Sequence, residues 1–255
     1  MMEMVRPATR FRFSPLQPGL CAKCPVRKFT AYSGVPDGLL DALESVWLSD
    51  RVVPPRRNII WEEKGADELF TLYDGWAFTF MLLPDGRRQI LDFLLPGSLI
   101  GLPALWFKAM PHSAQTLTSV SLCVFDKEKF AKLLRQKPQF EWEILKHSAV
   151  RQARRDQRLT DIGRRPAKER IARLILEIFG QLTVRGMVDG HSFTFYPRQQ
   201  HIADALGLTK VHVSRTLQAL RQEGLLEVGR DSATILDLKG LKELADYTET
   251  GAAWW

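Results

Sequence analysis

The chain holds three cysteines, and two of them, Cys21 and Cys24, are separated by only two residues. Thiolates at that spacing on one loop can hold adjacent corners of an iron-sulfur cluster or two positions of a zinc site, because both metals favour soft sulfur ligands. Cys123 lies in the apolar run Leu122-Cys123-Val124-Phe125, where a strand carries it either as a small core residue or as a third ligand. The neighbouring cations Lys23, Arg27 and Lys28 leave open a third chemistry, that of redox-active loop thiols. A dithiol oxidoreductase is not supported, since no βαβ pattern surrounds the pair, and no Ser-His-Asp, phosphate-loop or metalloprotease signature occurs elsewhere. The chain does not read as an enzyme.

A second chemistry gathers near the C-terminal end. Residues 198–206 place Ile202, Ala203 and Leu206 at helical spacing, Gly207-Leu208-Thr209 makes a tight turn with Thr209 as helix N-cap, and Lys210 to Glu223 follows as a helix burying Val213, Leu217 and Leu220. Its outward face carries Lys210, Val211, His212, Ser214, Arg215 and Gln218. Arg215 can donate two hydrogen bonds to guanine, Ser214 can meet a base or phosphate, and Lys210 can meet a phosphate near the helix start. Arg198 and Thr209 complete the residues expected at double-stranded DNA. The segments Leu225–Val228 and Thr234–Leu236, separated by Gly229-Arg230-Asp231-Ser232, read as the hairpin of a wing. A helix pair whose basic face is merely solvated would need neither that turn nor that wing.

These groups need elements to position them. At 255 residues, 45% hydrophobic and 25% charged, the chain has the size of two globular domains. Met1 to Phe13 contains no apolar signal-peptide core, and no run of about 18 apolar residues occurs, so a cytoplasmic protein without disulfides and without a membrane span is expected. The net charge of +7 favours a polyanionic partner. Residues 1–34, rich in Pro, Gly and Arg, read as an irregular segment carrying Cys21 and Cys24. A short helix is expected next, with Leu39, Leu40, Leu43, Val46 and Trp47 on one face. From Arg51 to Phe125 short apolar runs alternate with Asp74-Gly75, Pro84-Asp85-Gly86 and Pro96-Gly97 turns, the spacing of antiparallel hairpins in a β-roll.

After Phe130 the strand signals stop. Leu145, Ser148, Gln152, Arg155, Leu159 and Ile162 recur at alternating three- and four-residue intervals, a polar coiled-coil seam that predicts a homodimer, the alternative being a helix that lies against its own domain. Two Arg155 side chains facing each other across such an axis would leave the helix poised rather than locked. Gly163-Arg164-Arg165-Pro166 interrupts the pattern, and a further helix is expected to end near Gly180. The reading is therefore α+β: a cysteine-bearing segment over 1–34, an antiparallel β-roll over 35–137, a dimerisation helix over 138–163, and a winged helix-turn-helix over 164–255.

That order resembles the CRP/FNR family of bacterial regulators, and Gly97-Ser98-Leu99-Ile100-Gly101, Ser113-Ala114-Gln115, Leu122-Cys123-Val124-Phe125 and Ser214-Arg215 carry the resemblance. It implies a homodimer on a palindromic operator, with RNA polymerase as a further partner. Members that bind cyclic AMP place a Glu after the cassette glycine and an Arg-Ser pair further on. Leu102 and His112 stand here instead, so the resemblance does not imply cyclic AMP. The FNR branch holds a [4Fe-4S] cluster on four cysteines, and Cys21, Cys24 and Cys123 match three of those positions, with Thr30 at the remaining one. The resemblance then implies a cluster responding to oxygen, nitric oxide or redox state, with a fourth ligand from Asp37, Asp41, a histidine or an external thiol. Haem, a small effector or thiol oxidation are the alternatives. Many members also present a Glu where Val211 stands, which implies a shifted base preference beside Arg215.

Overall fold

The computed structural model describes residues 21–247, which divide into two compact units, 21–153 and 154–247. In the first unit, 3₁₀ turns at Cys21–Lys23, Arg27–Phe29 and Asp37–Leu39 lead into a one-turn helix, α1 (Leu40–Glu44). Eight strands follow: β1 (Trp47–Val53), β2 (Asn58–Ile60), β3 (Glu68–Asp74), β4 (Ala77–Leu82), β5 (Arg88–Leu94), β6 (Leu99–Ile100), β7 (Ser113–Thr116) and β8 (Val120–Asp126). They form two four-stranded antiparallel sheets, in the orders β1-β8-β3-β6 and β2-β7-β4-β5. The expected β-roll is thus present.

One local expectation fails, and one strand goes unforeseen, for identifiable reasons. Val46 and Trp47 do not extend the first helix. It closes at Glu44, and Trp47 pairs with Phe125 of β8. One more helical turn adds few backbone bonds, whereas the strand gains a full ladder against β8. β7 was not legible, because Ser113–Thr116 is polar and carries no alternating apolar pattern. It is nonetheless buried, paired with β2 on one side and β4 on the other.

Alternation along β3 and β8 sorts side chains onto two faces. Phe70, Leu72, Leu122 and Val124 enter the core between the sheets, while Leu69 and Phe125 join a second core under α1 and the helices that follow β8. Those are α2 (Lys127–Gln136), capped by the Asp126 carboxylate accepting from Lys129 N–H at 2.8 Å, and α3 (Pro138–Arg164). The helical stretch after Phe130 is therefore two helices, divided where Pro138 removes a backbone donor.

α3 belongs to both units, which divide between Ala153 and Arg154. In the second unit α4 (Ala167–Val184) runs past Gly180, held by buried Gln181 and Leu182. There follow β9 (Val188–Asp189), β10 (Ser192–Thr194), α5 (Gln199–Leu206), α6 (Lys210–Gln222), β11 (Leu226–Val228), β12 (Ser232–Ile235) and α7 (Leu238–Leu244). The strands form one sheet in the order β11-β12-β10-β9. The β9–β10 hairpin escaped the sequence reading, although Asp189-Gly190 and the buried Phe193 and Phe195 are its signals. No described helix is long and apolar enough to cross a membrane. Trp254 and Trp255, a tail without a reading from sequence, lie outside the described residues.

Candidate nucleic-acid interface and thiol pocket

α5 and α6 cross closely because the turn between them is sharp. Gly207 sits at φ 64° and ψ 37°, a left-handed conformation that closes α5. The Thr209 hydroxyl accepts from His212 N–H at 3.2 Å, capping α6. Val213 and Leu220 are buried as expected, Leu217 is half-buried, and Thr216 is the additional inward residue, its hydroxyl donating to the His212 carbonyl at 2.9 Å. Lys210, Val211, His212, Ser214, Arg215 and Gln218 are all exposed. A helix with one buried face, a capped start and a polar, cationic outer face is what insertion into a major groove requires. Arg198 differs from this set. Its guanidinium donates to the Arg230 carbonyl and pairs with Asp231 Oδ1 at 3.0 Å, both on the turn between β11 and β12.

The cysteines, a hundred residues apart in the chain, are neighbours in the fold. Cys123 sits on β8 between Asp50 of β1 and Thr71 of β3, facing away from the inter-sheet core. Cys21 and Cys24 approach from the N-terminal turns, where Cys21 N–H donates to Glu44 Oε1 at 2.7 Å. Gly97, at φ 94°, leaves room for this segment, since a Cβ there would lie 2.7 Å from the Phe29 carbonyl oxygen. Burial pushes all three thiols up. Cys21 reaches about 12, helped by the Glu44 carboxylate. Cys24 is raised mainly by burial, and Cys123 by burial and then by the charges of Cys24 and Asp50. Tyr32, raised by burial and then by Cys123, lies fully buried beside them with its hydroxyl 2.8 Å from that of Thr71.

This donor set falls short of a four-ligand cluster site. Thr30 is buried, and its hydroxyl is tied to the Arg27 carbonyl at 2.7 Å. Asp37 is engaged by Arg27 at 2.6 Å, and Asp41 is exposed on α1. The carboxylate that meets a cysteine is Glu44, which no spacing rule singled out. Among the described residues no three His, Cys, Asp or Glu side chains lie close enough to hold a metal ion.

Inside the roll, Asp92 of β5 pairs with Arg151 of α3 at 3.1 Å, and Arg151 also donates to the Leu99 carbonyl at 3.2 Å. The strand neighbour of Asp92 on β4 is Thr79, whose buried hydroxyl has no hydrogen-bond partner among the described residues. On α3 itself, Leu145, Gln152, Arg155 and Leu159 are exposed, while Ser148 and Ile162 are half-buried. Ser148 donates its hydroxyl to the Ile144 carbonyl at 2.8 Å, and Ile144 and Phe140, one and two turns before Ser148 and flanking the stripe, are buried in the roll's second core.

Comparison with known proteins places this geometry. Residues 50–137 match the model of the cyclic nucleotide-binding domain and residues 169–244 that of the Crp-like helix-turn-helix domain. The transcriptional activatory protein AadR of Rhodopseudomonas palustris is 31% identical over 192 residues, covering 75% of this chain and 79% of that protein. The chain belongs to the CRP/FNR family of transcription regulators. The nitrogen fixation regulation protein FixK of Bradyrhizobium diazoefficiens is similar over more of its length, 28% identical across 88% of this chain and 93% of that one. The structure of FixK2 from Bradyrhizobium japonicum has the same fold, with a TM-score of 0.70 at 24% identity over 77% of this chain and 96% of that one. As a CRP/FNR transcription regulator the protein is not an enzyme. Within the family's cyclic-nucleotide cassette, Leu102 opens the 3₁₀ turn Leu102–Leu105 after Gly101, and the Ser113 hydroxyl accepts from Glu62 N–H at 2.9 Å.

Proposed function

We propose that this protein acts in the cytoplasm as a homodimer that binds a palindromic operator, inserting α6 of each subunit into successive major grooves about 34–36 Å apart. The observation that carries this reading is the capped α6 with Lys210, Val211, His212, Ser214, Arg215 and Gln218 exposed on one side, within the match to the Crp-like helix-turn-helix domain. Arg215 reads guanine, Ser214 and Lys210 hold phosphate or base edge, and Val211 offers an apolar contact suited to a thymine methyl. The α3 stripe of Leu145, Ser148, Gln152, Arg155, Leu159 and Ile162 forms the dimer seam, and RNA polymerase is the partner for activation. Selection of duplexes from a random pool by the full-length protein tests this. A palindrome should be enriched, and Arg215→Ala should lose about 1–3 kcal/mol of discrimination at one base pair of each half-site. Enrichment of no sequence would refute it.

The signal enters at the thiol pocket. The match of Cys21, Cys24 and Cys123 to three ligand positions of the FNR branch supports a [4Fe-4S] cluster held by these thiols, which would supply oxygen- and nitric-oxide-sensitive iron. Relatives include the FnrA activator of Stutzerimonas stutzeri and an anaerobic regulatory protein of Pasteurella multocida. Such a cluster would need a fourth ligand other than Thr30, whose hydroxyl is engaged by the Arg27 carbonyl. Iron and acid-labile sulfide analysis of anaerobically purified protein decides the matter. About four of each per subunit, lost in Cys123→Ala, is the expected result. A metal-free protein that still binds its operator would leave the second reading, a small effector in the roll. Thr79, its buried hydroxyl unpartnered among the described residues, stands beside Asp92 and is the observation that favours that reading.

A further inference from the structure

Arg198 directly precedes the helix pair, and its charge alone would assign it to a DNA phosphate. Its guanidinium is committed elsewhere. It donates to the Arg230 carbonyl and, at 3.0 Å, to Asp231 Oδ1. The same turn is held by Phe195 N–H on the Asp231 carbonyl at 3.0 Å and closed by Gly229 N–H on the Ser232 carbonyl at 2.8 Å. The stretch 195–198 therefore grips the tip of the wing at two successive peptide groups and one carboxylate. Arg230, whose carbonyl is gripped, has an exposed side chain that makes no ion pair among the described residues.

We propose that Arg198 and Asp231 form a latch that sets the wing turn and aims Arg230 at a backbone phosphate flanking the major-groove site. Arg198 is then a positioning residue, and Arg230 is the contact. The inference rests on the reading that α6 enters the groove. A turn held in advance spares the ordering entropy that a loose tip loses on binding. Asp231 gives the latch a distinctive sign. A carboxylate beside DNA repels phosphate, so if it did nothing but carry charge, removing it would tighten binding. If it orients Arg230, removing it weakens binding.

The test measures affinity of the full-length protein for the duplex it selects, across a series of salt concentrations. Arg230→Ala should lower the slope of log affinity against log salt by about one per subunit. Asp231→Ala should weaken binding and lower the slope by a similar amount, although it removes a negative charge. Arg198→Ala should weaken binding in the same way, the double variant Arg198→Ala with Asp231→Ala should lose less than the sum of the two single variants, and thermal melting of each variant should show both units folded. Unchanged or tighter binding by Asp231→Ala, or an unchanged slope in Arg230→Ala, overturns the latch. Arg215→Ala separates the two levels. Loss of base preference in that variant alongside an inert Asp231→Ala would refute the latch alone, whereas a wild-type protein that selects no duplex would remove the groove reading and the latch together.

Discussion

Cys21, Cys24 and Cys123 show how much a residue's surroundings decide its chemistry. A cysteine beside Lys23 and Arg27 invites the expectation of an acidic, reactive thiol. Burial, the Glu44 carboxylate and mutual repulsion act the other way, so at neutral pH the thiols stay protonated in metal-free protein. Cys21 and Cys123 should therefore alkylate with iodoacetamide at pH 8 more slowly than free cysteine, and Glu44→Gln should speed Cys21 selectively. Mass spectrometry of timed samples checks both, and a free-cysteine rate at Cys21 would contradict the geometry. The linkage has a definite sign. Below the ordinary value of 9.0 folded and unfolded chains both keep the proton and the shift adds nothing. Above it the unfolded chain releases a proton that the folded chain retains, so stability falls as pH rises from 9.0 toward about 12.

At the scale of elements, the turn between α5 and α6 and the strut between β5 and α3 respond differently to substitution. An alanine at Gly207 would meet only Ile162 Cγ2 at 3.7 Å, an ordinary contact, so its cost is backbone strain at positive φ, about 1 kcal/mol. Chemical denaturation should register that loss, with Gly207→Asn costing less. Asp92 and Arg151 are 11% and 16% exposed, and Asp92→Ala would leave a buried guanidinium without its carboxylate. The expected cost is about 3 kcal/mol, much of it recovered in the double variant Asp92→Ala with Arg151→Leu. A loss below about 0.5 kcal/mol would mean that the pair acts as a solvated surface bridge.

For the whole molecule, the decisive feature is a long helix shared by two units, with apolar side chains that the other described residues leave exposed. Trp142, Leu145 and Leu159 are 66%, 59% and 72% exposed. On the proposed seam, covering such a stripe with a second copy would remove apolar surface from water. Leu159→Glu should shift the protein toward monomer in analytical ultracentrifugation. Operator affinity should fall by at least about tenfold, because one helix-turn-helix then binds without its linked twin. A variant that remains dimeric would exclude the seam.

Read alone, the sequence determined those features whose signals are local. Gly207, Thr209 and the inward Ile202, Ala203, Val213 and Leu220 specified the helix-turn-helix almost to the residue, because caps, turns and helical periodicity are written within a few positions. The strands from β3 to β5 were legible for the same reason. Tertiary structure decided what depends on pairing across long separations. Register between β3 and β8 put Thr71 against Cys123, and the N-terminal turns carried Cys21 to Glu44. The polar β7 became a buried strand only because β2 and β4 flank it. Arg198 acquired a partner in Asp231, 33 residues away. Contacts of this kind follow from chain topology, and a one-dimensional pattern of residue types does not encode which solvent-facing groups topology will bring together.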